Sequence, residues 1–297
     1  MEMPEHVILT RFSVRFLDDQ PPHQDDWLEY RLSFFKEATL ASIRAQSVLP
    51  TAWLVFLDDQ APDWLRDEMS TLSEENGFLV PTYVSGPFTA NAARDAIDAL
   101  PLRGGHLLTT RLDSDDALGI RFVEKVGAHA HGQIAAGLSP DGLYLNATRG
   151  LQLDRRGLVF QLDYSSNAFI SYLEHREPGA PLRTVLQDGR HANAHRHAPV
   201  LAFQDEPLWL QIVHGSNLAN SITGRRVANS RLPRSFAIEL PHGEDVGTIS
   251  LAHQTLTEDL RRLRRWVSEP WLIKEYMAGR LERLRGTRVR PRRVPRR

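Results

Sequence analysis

Three observations predict an α/β fold, with a mixed, mostly parallel sheet flanked by helices. Short apolar runs alternate with helical segments through residue 131, those runs are strand-sized, and two of them end on clustered carboxylates. The first run, HVILTRF at 6–12, is short and largely apolar, and reads as a buried strand. WLEYRLSFFKEATLASIRAQS follows, with Leu32, Phe35, Leu40 and Ile43 at roughly helical spacing. AWLVFLDD at 52–59 is a second buried strand, closing on Asp58 and Asp59. DWLRDEMSTLSEENG reads as a helix stopped by Gly77. FLVPTYVS at 78–85 is a third strand, and Pro81 places it at an edge or a bend. NAARDAIDAL is a short helix, HLLTTRLD at 106–113 a fourth strand, and GIRFVEKVGAHA another helix. After residue 131 the rhythm changes. Two short β-like runs turn about Asp154–Gly157, and the segments beyond are irregular, polar and rich in His.

Composition narrows the class. Of the 297 residues, 41% are hydrophobic and 25% charged, which is ordinary for a globular chain. There is no apolar run of the ~18–20 residues that a membrane helix needs. The acidic start MEMPEHVILT is unlike a signal peptide, and the absence of cysteine excludes disulfides and thiolate chemistry. A cytoplasmic protein is expected. The net charge of −1 hides an asymmetry, because GRLERLRGTRVRPRRVPRR at 279–297 holds nine Arg and one Glu. That tail can touch an anionic membrane surface or simply be a solvated end. The acidic body disfavours nucleic acid as a partner.

HLLTTRLDSDDAL at 106–118 carries the chemistry: a buried strand delivers Asp113, Asp115 and Asp116 within four residues. In open α/β sheets ligands bind beyond the carboxyl ends of the strands. Hard carboxylate oxygens gathered there suit Mg²⁺ or Mn²⁺, and alternation places Asp113 and Asp115 on one side, as an Asp-x-Asp clamp requires. An EF-hand loop from Asp113 fails, because Ala117 stands where a ligand is needed and Leu118 where the turn needs glycine. Helix capping by Ser114 or Asp115, or plain solvation, remain as structural explanations.

These pieces meet a family. HVILTRFSVRF, WLEYR at 27–31, LASIRAQS, WLVFLDD, TTRLDSDDAL and PLWLQIVHGSN occur in that order, and with them the chain resembles the rhamnosyl transferase family. The resemblance implies a GT-A-like domain over 1–278 with the Arg-rich tail beyond it. Its nucleotide-binding half would run to about 131 and its acceptor half over 132–278. It implies a metal-dependent transferase that takes a sugar, rhamnose by the family's name, from a dTDP-, UDP- or GDP-linked donor to a glycan or lipid-linked acceptor. Asp113 and Asp115 become the DxD pair, Asp116 a further ligand or sugar contact, and His214 the residue completing the metal shell. Thr10, Arg11, Asp58 and Asp59 would meet the nucleotide, and Arg94 and Arg111 its phosphates. Asp205, Glu206 and Asp188 are the carboxylates available as a general base.

Other features read more plainly. His191 and His195 stand four apart without a third ligand, so a surface cluster is favoured over zinc. Trp209, among Leu208, Leu210 and Ile212, reads as core. LTEDLRRLRRWVSEPWLIKEYMAGRLERL reads as a helical end broken near Pro270. Two rivals share the fold. A nucleotidyltransferase would carry a glycine-rich phosphate loop that HVILTRFSVRF lacks; a non-catalytic carbohydrate- or nucleotide-binding protein would never leak sugar to water.

Overall fold

Runs of five to seven consecutive buried residues, which no single-faced sheet can accommodate, fix the centre of the molecule. Strands β1 (Glu5–Arg11), β2 (Ala52–Asp58), β3 (Leu79–Val84) and β4 (His106–Arg111) lie in the order β3-β2-β1-β4, all parallel. The computed structural model describes residues 3–268, except 138–141, 165–166, 178, 188–190 and 215–220. The Arg-rich tail therefore lies outside the described residues.

Helices join these strands and cover both faces of the sheet. They are α1 (Asp25–Phe34), α2 (Ala41–Arg44), α3 (Asp63–Glu75), α4 (Ala90–Asp98) and α5 (Phe122–Ala135). One apolar cluster gathers Ile8, Phe35, Trp53, Val55, Leu65 and Phe122; the other gathers Val7, Leu9, Leu54, Phe56, Ala93 and Ile97. Alternate residues of β1 and β2 thus face opposite layers. The third strand sits at the sheet edge, as Pro81 predicts. Between α1 and α2 the helix widens into a π-helical segment, Phe35–Leu40.

Beyond α5 the chain supplies short strands joined by longer connections. They are β6 (Leu143–Ala147), β7 (Arg149–Asp154), β8 (Val159–Asp163), β9 (Ser171–His175), β10 (Val200–Phe203), β11 (Trp209–Val213) and β12 (Arg225–Arg226). Within this group, β9, β6 and β10 extend the large sheet past β4, and only β9 runs antiparallel to the rest. The expected turn at Asp154–Gly157 joins β7 to β8, with Gly157 N donating to Asp154 O at 2.9 Å.

A second sheet has the order β12-β8-β7-β11-β5, where β5 is the two-residue strand Ala117–Leu118. Chain crossing therefore occurs between Arg111 and Ala117: the acidic segment is the hand-over from the large sheet to the small one. Trp209 is core, as its neighbours predict. It stacks on Phe169 at 5.0 Å, its indole N–H donates to Ala147 O at 2.8 Å, and Gly150 opposes it. A Cβ on Gly150 would stand 2.1 Å from the indole, so only glycine fits there. Helices α6 (Arg231–Ser235) and α7 (Thr248–Ser268) close the described chain, and none of its helices is long and apolar enough to cross a membrane.

Candidate active site

Ending side by side, β1 and β4 pair Leu9 with Arg111 and leave Arg11 and residues 112–116 at the carboxyl edge of the sheet. This is the crevice where an open α/β sheet takes ligands. Asp115 is its most heavily engaged carboxylate. The Arg31 guanidinium donates to Asp115 Oδ2 at 2.6 Å and to Ser114 Oγ at 2.6 Å. His214 Nε2 meets the same Oδ2 at 2.8 Å, while its Nδ1 faces the Tyr30 hydroxyl at 3.2 Å. Both ring nitrogens are satisfied if Nε2 donates to the carboxylate and Nδ1 accepts from Tyr30. Phe34 stacks on the imidazole at 4.4 Å, and Trp27 lies under the Arg31 guanidinium at 5.5 Å.

The electrostatics follow from this packing. Burial pushes Asp115 upward, but the His214 hydrogen bond and the Arg31 charge outweigh it and hold the carboxyl below its ordinary range. Asp116 goes the other way. Burial, then the charges of Asp115 and Asp113, push it well above the ordinary range, against a hydrogen bond from Ile212 N–H at 2.9 Å. Asp113 is held by Arg111, whose Nη2 reaches both its oxygens at 3.1 Å. Arg11 is depressed by burial and by Arg111, and Asp113 acts in the opposite sense.

The structure brings Asp113, Asp115, Asp116 and His214 into one neighbourhood, as the sequence led us to expect. Their side chains, however, do not present themselves as a metal cage. Among the described residues no group of three or more His, Cys, Asp and Glu side chains is arranged to hold a metal ion. Asp116 is fully buried and serves Ile212 N rather than the crevice. Asp113 and Asp115 are each already matched by a guanidinium. A divalent cation between them would have to break both ion pairs or sit beside two fixed positive charges, so this donor set does not fit Mn²⁺ or Mg²⁺ as it stands.

Other expected residues are placed as follows. Thr10 does not meet a ligand: it is completely buried, and its hydroxyl accepts from the Trp53 indole N–H at 2.9 Å. Its side chain points into the layer between strand and helix, while the next residue, Arg11, reaches the crevice. Asp58 is buried against Arg15 at 2.6 Å, and Asp59 stands 3.7 Å from the same guanidinium. Arg94 bonds to Asn91 on its own helix.

The candidate bases need a larger correction. Asp205 pairs with His129 at 3.4 Å and Lys125 at 3.8 Å, and Glu206 with Arg121 at 3.4 Å, all on or beside α5. They precede β11 whereas His214 follows it, and a five-residue strand spans about 17 Å. The two carboxylates are at the wrong end of the strand for chemistry at Asp115. Asp188 lies outside the described residues. His191–Arg196 is a 3₁₀ turn, with three residues per turn, so His191 and His195 do not share a face.

Comparison with known proteins reaches the level of family. The family model described as "Putative rhamnosyl transferase" matches residues 21–226, more than half the chain. The chain belongs to that family. No curated protein matches it significantly. Among solved structures it is similar to S. aureus TarS 1-349 in complex with UDP-GlcNAc, at 10% identity and a TM-score of 0.44, over 73% of this chain and 62% of that one. It is also similar to TarS 1-349 without that ligand, at 10% identity and a TM-score of 0.41, over 70% and 60%. HddC from Yersinia pseudotuberculosis is similar at 13% identity and a TM-score of 0.34, over 70% and 93%. The chain spans about three fifths of the length of these TarS chains.

Proposed function

We propose that this protein is a glycosyltransferase that moves a sugar, with rhamnose as the first candidate, from a nucleoside-diphosphate donor to a hydroxyl acceptor. Family membership sets the reaction class. The observation that carries the reading to particular residues is the meeting of Arg11, Arg111, Asp113 and the Arg31–Asp115–His214 group at the carboxyl edge of β1 and β4.

Sugar transfer breaks the bond between the anomeric carbon and the diphosphate oxygen and joins that carbon to the acceptor oxygen, whose proton passes to a base. The departing diphosphate gathers negative charge, and positive groups fixed at that place before the reaction lower the barrier. Arginine suits the task, because its planar fork matches phosphate oxygens. Arg31 is kept from it by Asp115 and Ser114; with Trp27 and Tyr30 it instead makes one wall of the crevice. Asp205 and Glu206 are not proposed as the base, since they stand at the far end of β11.

Donor hydrolysis provides the test. The full chain is incubated with dTDP-rhamnose, UDP-sugars and GDP-sugars in turn, and free sugar is followed by NMR. Slow release from one donor, lost in an Arg111→Ala variant that remains folded, is the expected result. A folded protein that binds donors and releases no sugar with any acceptor would instead be a non-catalytic binding module.

A further inference from the structure

At the crevice, three of four arginines are matched to carboxylates. Asp113 is matched by Arg111 at 3.1 Å and Asp115 by Arg31 at 2.6 Å, while Arg15 is held by Asp58 at 2.6 Å. Arg11 is different. Its guanidinium makes no hydrogen bond or ion pair among the described residues; its carbon lies 5.2 Å from the Phe16 ring centroid. Two residues beyond the Leu9–Arg111 pairing, it stands at the end of β1 next to a second arginine, and both facts follow from the strand register. A cation largely removed from water beside another cation is stabilised when an anion arrives, and burial together with Arg111 already depresses it.

Resting on the glycosyltransferase reading, we infer that Arg11 and Arg111 together bind the donor's diphosphate in this protein, and that donor binding needs no divalent cation. Asp113 then serves as a positioning residue. Bidentate to Arg111, it fixes the guanidinium plane and leaves the outer N–H groups of the fork for a phosphate oxygen. Asp115 is spent inside the protein on Arg31 and His214, so the acidic strand end builds the wall of the site rather than a metal clamp. A nucleoside diphosphate brings more negative charge than Arg11 alone can balance, and the second arginine, already paired with Asp113, adds hydrogen bonds to its oxygens rather than net charge.

The experiment is calorimetric titration of dTDP, UDP and GDP into the full chain, once with chelator and once with Mn²⁺. One nucleotide is expected to bind in chelator within about threefold of its affinity in Mn²⁺. Arg11→Gln is expected to weaken that nucleotide at least about tenfold while leaving the corresponding nucleoside unaffected, and Arg11→Lys to recover part of the loss. Binding that appears only with Mn²⁺ would overturn the inference and leave the donor reading standing. Unchanged binding to a folded Arg11→Gln variant would also overturn it. No binding of any nucleotide in either buffer, with the protein folded, would take the donor reading down as well. Should Arg11→Gln not fold, the chelator comparison on the unaltered chain and Arg11→Lys still decide.

Discussion

The two ends of β11 carry similar residues to opposite effect. At its start, Asp205 and Glu206 meet Lys125, His129 and Arg121 across partly exposed surface, at 3.4–3.8 Å. At its finish, the buried His214 and Asp115 meet the half-buried Arg31 and the exposed Tyr30, with contacts of 2.6–3.2 Å. Water weakens the first set, and side-chain entropy offsets most of what remains. In the second set Asp115 and His214 have little water to fall back on, so they depend on their partners for charge or hydrogen bond. Residue type therefore says little about role in this molecule; distance along a strand and access to solvent say more.

Substitutions can strain that contrast. The largest effect is expected from Arg31→Met, which strands the Asp115 carboxylate: about 3–5 kcal/mol of stability, read as a fall in Tm and in the urea midpoint, with Arg31→Lys in between. His214→Phe keeps the stacking on Phe34 but removes the hydrogen bonds to Asp115 and Tyr30, for an expected loss of about 1–3 kcal/mol.

The pH response sharpens the comparison further. Because Asp115 is depressed in the folded state, it contributes stability above its unfolded value, about 3.9, and loses that contribution as pH falls through its lower folded value. Asp116, being raised, has the reverse sign: its contribution is present below about 3.9 and declines as pH rises through the folded value. The advantage of the unaltered chain over Asp115→Asn should accordingly shrink below about pH 4 in acid titrations followed by circular dichroism. The smallest effect belongs to the other end of the strand. Asp205→Asn and Glu206→Gln should each shift stability by no more than about 0.5 kcal/mol and leave donor hydrolysis intact. A large loss of turnover in either would erase the distinction between the two ends.

Much of the large sheet could be read from the chain. HVILT and AWLVFLD are largely apolar because both their faces are covered, HLLTTR carries its apolar pair Leu107–Leu108 in the same sheet, and Pro81 marks the edge because it cannot donate to a neighbour. The acidic hand-over was equally visible. What answers it was not. Trp27, Tyr30, Arg31 and Phe34 recur at i, i+3, i+4 and i+7 of α1 and so lie together on it, yet attention to Leu32, Phe35, Leu40 and Ile43 selects the core-facing stripe and passes over a face that contains a charge. Within WLEYR, nothing in the local sequence gives Arg31 a role. Arg15 was missed because it falls beyond β1 in a loop with no periodicity. Asp205 and Glu206 could have been set aside by counting: WLQIV separates them from His214 by a whole strand. The extension by β9, β6 and β10 depends on pairings between distant segments, for which four- and five-residue runs carry little local signal.

The π-helical segment Phe35–Leu40 sets a rotational phase. One continuous helical rod, Asp25–Arg44, must aim Arg31 and Tyr30 at the crevice and Phe35, Leu40 and Ile43 at the core. The wide turn takes up an extra residue, and each residue of an ordinary helix advances the phase by about 100°. Deleting Lys36 or Glu37 would leave every core side chain available and yet swing Arg31 away from Asp115. The length of that segment is thus held as tightly as the identity of the residues it serves, and indels there should be far less tolerated than exchanges of one apolar side chain for another.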